Sequence, residues 1–223
     1  MEFRDVESCG CCVWAKRVLS RRTLLLSCSG RGSTCGQIGR GNQAWEADEI
    51  LENLSLPVAL DSRVGPVMLR RVLAEDLDSL MHLLSDDPVS ASRGDVAAET
   101  DRPAYGSALQ QIINDPSNEL LIVIDGEQQV VGTMQLTCIP GMARRGSTRL
   151  LIEAVRVRSD LRSTGIGSAM MRWVTDVAAV ALDVGLVQLT SDSRRIDAHR
   201  FYERLGFVAS HVGFKFQTSS TTP

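Results

Sequence analysis

The sequence predicts an α/β (α+β) fold, a single mixed sheet with helices on both faces. Three observations predict it. Apolar runs of strand length alternate with helical patterns from Val67 onward. Two of the runs, Leu120–Ile124 and Val130–Leu136, flank Asp125-Gly126, a strong hairpin signal. Two later runs, Leu150–Val157 and Leu186–Thr190, are separated by a helical pattern, as in a crossover connection.

The elements follow in order. Val67–Val72 reads as a first strand. Ala74 opens a helix with Leu77, Leu80, Met81 and Leu84 on one face, and Asp86-Asp87-Pro88 stops it. The polar stretch Val89–Arg102 is loop or mobile helix, and Pro103–Asn114 is a second helix with Leu109, Ile112 and Ile113 on its apolar side. The hairpin comes next, with its second strand continuing toward Ile139 until Pro140-Gly141 breaks it, and then a basic loop, Arg144-Arg145-Gly146. After Leu150–Val157, residues Ser168–Val184 form a helix with Met170, Val174, Val177, Ala178 and Ala181 as its buried stripe. Gly185 ends that helix and Leu186–Thr190 is a short strand. Arg195–Leu205 is a helix with Gly206 at its left-handed cap, and Val208–Phe216 supplies a closing strand.

Residues 1–62 differ from this pattern. They read as a low-complexity extension, followed by a folded domain over residues 63–217 and a polar tail over 218–223. Residues 13–41 carry six basic residues, many serines and no acid, as organellar transit peptides do, yet Glu2, Asp5 and Glu7 precede them. Five of the six cysteines, Cys9, Cys11, Cys12, Cys28 and Cys35, lie in this segment. A disulfide framework would knit the folded part instead, so the distribution argues for a reducing, cytoplasmic location. Cys9 and Cys12 have C-x-x-C spacing, but Cys28 and Cys35 are set wider than in zinc knuckles; the expectation is no metal.

Composition excludes several function classes. With 24 basic and 27 acidic residues and a net charge of −3, there is no basic footprint for nucleic acid. At 4% aromatic content, base-stacking platforms are not expected either. No apolar run approaches the roughly 20 residues of a membrane span.

The informative stretch is Arg162-Ser163-Thr164-Gly165-Ile166-Gly167-Ser168, between a strand and a helix. Strand, glycine-bearing turn and helix together make an anion cradle, because free N–H groups at the helix start and the helix dipole favour negative charge. A dinucleotide fingerprint would need a third glycine where Met170 stands, and a first glycine close to the strand; seven residues separate Val157 from Gly165. A Walker A loop would need Gly-Lys-Ser/Thr, which is missing.

Arg162-x-x-Gly165-x-Gly167 after a strand, followed by Ala198 and Phe201-Tyr202-Glu203-Arg204-Leu205-Gly206-Phe207, resembles the GCN5-related N-acetyltransferase (GNAT) superfamily, bacterial small-molecule type. The resemblance covers about Val67–Phe216. It implies a mixed, mostly antiparallel sheet whose central strands splay, with acetyl-CoA in the gap. It further implies that Arg162, Ser163, Thr164, Gly165, Ile166, Gly167 and Ser168 hold the pyrophosphate. Val155, Arg156 and Val157 would line the pantetheine arm, with main-chain groups of the two valines facing it.

Glu153 interrupts an apolar strand core and is the expected base, acting directly or through water. Alternation sets it on the face of Val155, where partial burial would raise its pKa. Tyr202 matches the tyrosine that protonates the departing sulfur. Ser193, Arg194 and Arg195 suit either the adenosine end or a solvated turn. Asp86, Asp87, Asp95, Glu99 and Asp101 suit either a cationic acceptor or a solvated face. Cys138 is expected to be a buried, inert thiol. The implied activity is direct transfer of acetyl from acetyl-CoA to a primary amine of a small molecule or peptide, with no metal, no nucleic acid and no membrane partner. A homodimer is left open. The rival reading is a non-catalytic acyl-CoA-binding sensor.

Overall fold

The computed structural model describes residues 51–216 and residue 218. Six strands form one sheet in sequence order: β1 (Val58–Ser62), β2 (Gly65–Arg71), β3 (Asn118–Ile124), β4 (Val130–Ile139), β5 (Arg149–Val157) and β6 (Leu186–Leu189). Every neighbouring pair is antiparallel except β5 and β6, which run parallel. The parallel pair is the one joined through a helical crossover, as the chain connection requires. This is the mixed sheet the sequence predicted.

Two apolar layers cover the two faces. Along β3 every residue from Leu120 to Ile124 is buried, and alternation sends them to opposite sides. Leu121 and Val123 join Met134, Leu136, Leu150, Ile152 and the helix α5 (Ile166–Trp173). Leu120, Ile122 and Ile124 join Leu77, Leu80 and Met81 of α1 (Leu77–Ser85) and Leu109 of α3 (Arg102–Ile113). A polar group in the sheet centre, Thr133, is buried but satisfied, donating from Oγ1 to the Leu121 carbonyl at 2.9 Å.

Between α1 and α3 lies α2 (Pro88–Ala91). Pro88 both ends the path of α1 and opens the new turn, since a missing N–H costs nothing at a first helical position. Asp87 caps it, accepting from the Ser90 amide at 2.8 Å. The predicted basic loop is a tight turn, α4 (Ala143–Gly146), in which Arg144 and Arg145 take left-handed backbone at φ 55° and 61°.

Several expectations need correction. The boundary at residue 62 cuts off a strand: β1 pairs with β2 from Val58↔Leu69 to Ser62↔Gly65, and Leu51 and Leu54 sit in the first core. The folded unit therefore takes in residues 51–62, while the cysteine cluster and residues 13–41 lie outside the described residues.

The helix after the glycine turn begins at Ile166 and is not uniform. A π-helical turn over Val174–Ala178 separates α5 from α6 (Ala179–Ala181). The wider turn advances the phase of the buried stripe. Met170, Val174 and Ala178 are buried as expected, but Val177 is half exposed, Ala181 is exposed, and Met171, Trp173 and Leu182 are buried instead.

The last helix, α7 (Ile196–Arg204), ends at Gly206 with φ 89°, as predicted. Val208–Phe216 forms no strand, and Val208, Val212, Phe214 and Phe216 are exposed. Ile113 also faces solvent rather than the apolar side of α3.

Candidate functional site

The site is built where β5 and β6 part. Their pairing runs only from Arg149↔Leu186 to Ile152↔Leu189. β5 continues to Val157, still paired with β4 but with no strand on its other side among the described residues. Residues 153–157 thus present one unpaired backbone edge to a wedge-shaped gap. An extended ligand with amide groups can pair with such an edge as a strand would.

A bulge lies at the start of this open span. Across β4 and β5 the register steps from Gln135↔Glu153 to Thr133↔Arg156, so two residues on β5 face the single Met134, and Ala154 takes φ 50°. The extra residue reverses the alternation. Val155 and Val157 pack with Ile152 in the first core, whereas Glu153 and Arg156 share the other face with Gln135 and Thr133. The sequence reading placed Glu153 on the face of Val155; the bulge puts it opposite. Glu153 is exposed, so the expected partial burial is not found, and it has no ion-pair partner among the described residues.

At the mouth of the gap, a 3-10 turn over Ser159–Leu161 leads to Gly165 at the N-cap of α5. Gly165 has φ 95°, a left-handed conformation that a residue with a Cβ adopts only with strain. No side chain caps this helix, so its first-turn amides are left for a ligand. Ser163 also has positive φ, at 65°.

Two distant groups brace the loop. Asp86, just past α1, accepts from the Ser159 amide at 2.6 Å, and its carbonyl accepts from Arg162 Nη2 at 2.8 Å. The Arg63 amide donates to the Thr164 carbonyl at 2.8 Å. Arg162 Nε also reaches the Val157 carbonyl at 3.3 Å, and Arg156 Nη1 donates to the Val155 carbonyl at 2.8 Å. The oxygens of the two valines expected to meet the pantetheine arm are thus engaged by arginines.

Tyr202 lies on α7, which follows β6. Its ring packs edge-on between Phe201 at 5.1 Å and Phe207 at 6.0 Å, which sets its direction. Burial raises its pKa, partly opposed by the positive charges of Arg156 and Arg195 nearby.

The polar segment after α1 is fastened across the gap. Asp87 pairs with Arg195, and Ser90 Oγ accepts from Arg156 Nη2 at 2.8 Å and from Arg195 Nη2 at 3.3 Å. Arg93 pairs with Asp192, which also holds Arg194 at 3.0 Å. Tyr105 donates to Asp95 at 2.6 Å, and that bond with burial pushes its pKa up to about 12. Burial works against the charge of Asp87, yet the Ser90 amide and Arg195 hold its pKa below the usual carboxylate range.

Three acids weighed for a cationic acceptor, Asp86, Asp87 and Asp95, therefore already have partners within the chain. Arg194 and Arg195 are likewise tied down rather than free for an adenosine. Sequence reasoning missed Arg63, Ser90 and Asp192. Ordinary turn and surface residues in a sequence carry no signal for contacts made 66 to 105 residues away, as Ser90 makes.

Other tempting groups are structural. Cys138 is buried in the first core, and burial raises its thiol pKa, as expected of an inert thiol. His199 Nε2 lies 2.9 Å from the Asp192 carbonyl. A shallow cavity at the far side of the sheet, bounded by Leu51, Arg71, Ile113 and Asn118, contains none of the site residues. No group of metal-binding side chains occurs among the described residues, and no described helix is long and apolar enough to cross a membrane.

Comparison with known proteins bears on this arrangement. Residues 77–207 match the model of the acetyltransferase (GNAT) family. A transcriptional regulator from Bacillus halodurans C-125 is 38% identical and superposes with a TM-score of 0.64, covering 68% of this chain and 99% of that one. The glucosamine-6-phosphate N-acetyltransferase of Arabidopsis thaliana, at 14% identity, TM-score 0.55 and coverage of 68% and 97%, shares the fold. So does a ribosomal-protein-alanine N-acetyltransferase from Brucella melitensis biovar Abortus 2308, at 16% identity, TM-score 0.54 and coverage of 69% and 99%. No curated protein matches the chain. The matched span contains the open edge of β5, the glycine turn and Tyr202, and the chain belongs to the GNAT acetyltransferase family.

Proposed function

We propose that the protein is an N-acetyltransferase that passes acetyl from acetyl-CoA to a primary amine by direct attack. The observation that carries this reading is the unpaired edge of residues 153–157, ending in the uncapped start of α5. The two features fit the two parts of the co-substrate. An open strand edge suits the amide-bearing pantetheine arm, and exposed helix-start amides suit the pyrophosphate.

When bound, acetyl-CoA supplies the acyl group as a thioester. The chain's residues then have three tasks. Arg162 to Ser168 hold the anionic end, with the loop kept in shape by Asp86 and Arg63. Glu153 accepts the proton that an alkylammonium must lose, directly or through a water; at pH 7 freeing that lone pair costs about 4–5 kcal/mol. Tyr202 donates its proton to the sulfur as the carbon–sulfur bond breaks, and the second proton that the nitrogen sheds in becoming an amide restores the tyrosine through solvent. The products are an amide and a free thiol. Holding the two reactants side by side supplies much of the rate.

A panel of primary amines assayed with acetyl-CoA for thiol release, with the acetylated product confirmed by mass, tests the reading. Turnover that falls in both Glu153→Gln and Tyr202→Phe is expected. Tight acetyl-CoA binding by calorimetry with no acetylated product from any amine would favour a sensor instead.

A further inference from the structure

Arg156 is a half-buried cation without a counter-ion. Its guanidinium donates only to neutral oxygens, the Val155 carbonyl and Ser90 Oγ, each at 2.8 Å. No carboxylate comes within ion-pair distance of it among the described residues. A second guanidinium, Arg195, shares the same serine, and its charge is met by Asp87. Asp95 also lies in the neighbourhood, where it accepts from Tyr105, but it is outside ion-pair distance of both arginines. Both arginines also keep a buried Nε with no hydrogen-bond partner. Buried charge is ordinarily paired, and two like charges beside one carboxylate leave a local positive excess. That excess, with burial, lowers the pKa of Arg156, burial being the larger cause.

The position of this cation is informative. The register pairs Arg156 with Thr133 and Glu153 with Gln135, so the two side chains leave the same face of β5 as neighbours there. Neighbours on one strand face stand roughly 6–7 Å apart at the backbone. This face looks toward α1 and α3, away from the core that contains Val155 and Val157.

From this juxtaposition the geometry points to an acceptor that carries a carboxylate close to its reacting amine: Arg156, with Arg195 behind it, binds the anion while the amine lies at Glu153. This rests on the acetyltransferase reading for its chemistry. The recognition itself needs only the two arginines. It also gives Arg156 a different task from lining the co-substrate's arm.

The test compares amino acids with their amides, which differ at the carboxylate. Bare reactivity at neutral pH favours the amides, whose amines are less basic, so a preference for the acids has to come from the site. With acetyl-CoA, kcat/KM is expected to favour the acids. Arg156→Gln should reduce the acid-to-amide ratio about 10- to 100-fold, through KM, as loss of a charge-assisted hydrogen bond does. Arg156→Lys should recover part of it.

A second measurement does not depend on turnover. Calorimetry on the protein with CoA should show N-acetylglycine binding more tightly than N-acetylglycinamide, and Arg156→Gln should erase the difference. If that difference is present but no amine is acetylated, the anion site stands and the catalytic reading falls. Acetylation of acids and amides at an equal ratio in both wild type and Arg156→Gln overturns the anion site and leaves the catalysis. Weaker acetyl-CoA binding in Arg156→Gln, equal to its loss for the acids, would overturn it too, by making the cation a co-substrate contact.

Discussion

The two halves of β5 are one continuous strand with opposite employment. Arg149–Ile152 is paired on both edges, and Leu150 and Ile152 are at most 1% exposed. Glu153–Val157 is paired on one edge only, has no fully buried residue and contains a bulge. Burial and double pairing give the first half to stability. An edge that pairs with no described strand, and irregular backbone, suit the second half to the ligand role proposed for it. The two roles meet between adjacent residues, Ile152 and Glu153, so the contrast can be tested one position apart.

The largest expected effect is on the first half. Ile152→Ala empties a volume in the core that also holds Leu136, Leu150 and Met170, and should cost about 2–5 kcal/mol in a urea unfolding titration. Glu153→Gln, next to it, should leave the melting temperature within the small range of exposed substitutions and reduce kcat roughly 100-fold. An equal loss of stability in the two variants would dissolve the division.

Tyr202→Phe should follow, with a loss of about 10- to 100-fold in kcat. The pH profile gives a sharper sign. Burial raises the Tyr202 pKa, so the group stays protonated past the ordinary tyrosine value of about 10. The alkaline fall in kcat assigned to it should begin above that value and be absent in the Phe variant. Smallest is Arg162→Ala. Its side chain is about half exposed and already bonded to the Asp86 and Val157 carbonyls, so acetyl-CoA affinity should weaken only about 3- to 10-fold by calorimetry.

The sequence was most legible where one local signal decides the structure. The hairpin at Asp125-Gly126, the strands β2 to β6 and the cap at Gly206 all follow from residue type and short-range period. β1 was missed because Val58–Ser62 is five residues long and follows a proline, with alternation too brief to stand out from a low-complexity neighbour. The outer limb of the α5 stripe failed because the π-helical turn at Val174–Ala178 changes the period partway along.

Within the candidate site, the place of the glycine turn between a strand and a helix could be read from its motif, and those of Glu153 on a strand and Tyr202 on the last helix from the local pattern. The face of Glu153 could not, since it depends on a bulge. Nor could the cluster of Asp87, Ser90, Arg156 and Arg195, which joins residues 66 to 108 apart. Two of its members look like solvated charges when read singly. The missing closing strand has a similar origin: Val208–Phe216 has the alternation of a strand, but alternation names no partner.

The bulge at Ala154 also makes β5 a strand with two counting frames. Upstream of it even-numbered residues face the large core; downstream, odd-numbered ones do. A single deletion anywhere between Glu153 and Val155 would restore one frame throughout. Val155 and Val157 would keep the large core and Arg156 the side of Glu153, now in one regular alternation. The chain would gain a regular strand of better hydrogen bonding and lose the kink that the bulge puts into its open half. The extra residue is therefore a device of backbone shape: it leaves two valines on the hydrocarbon interior and the arginine beside Glu153, while bending the strand where its pairing with β6 ends.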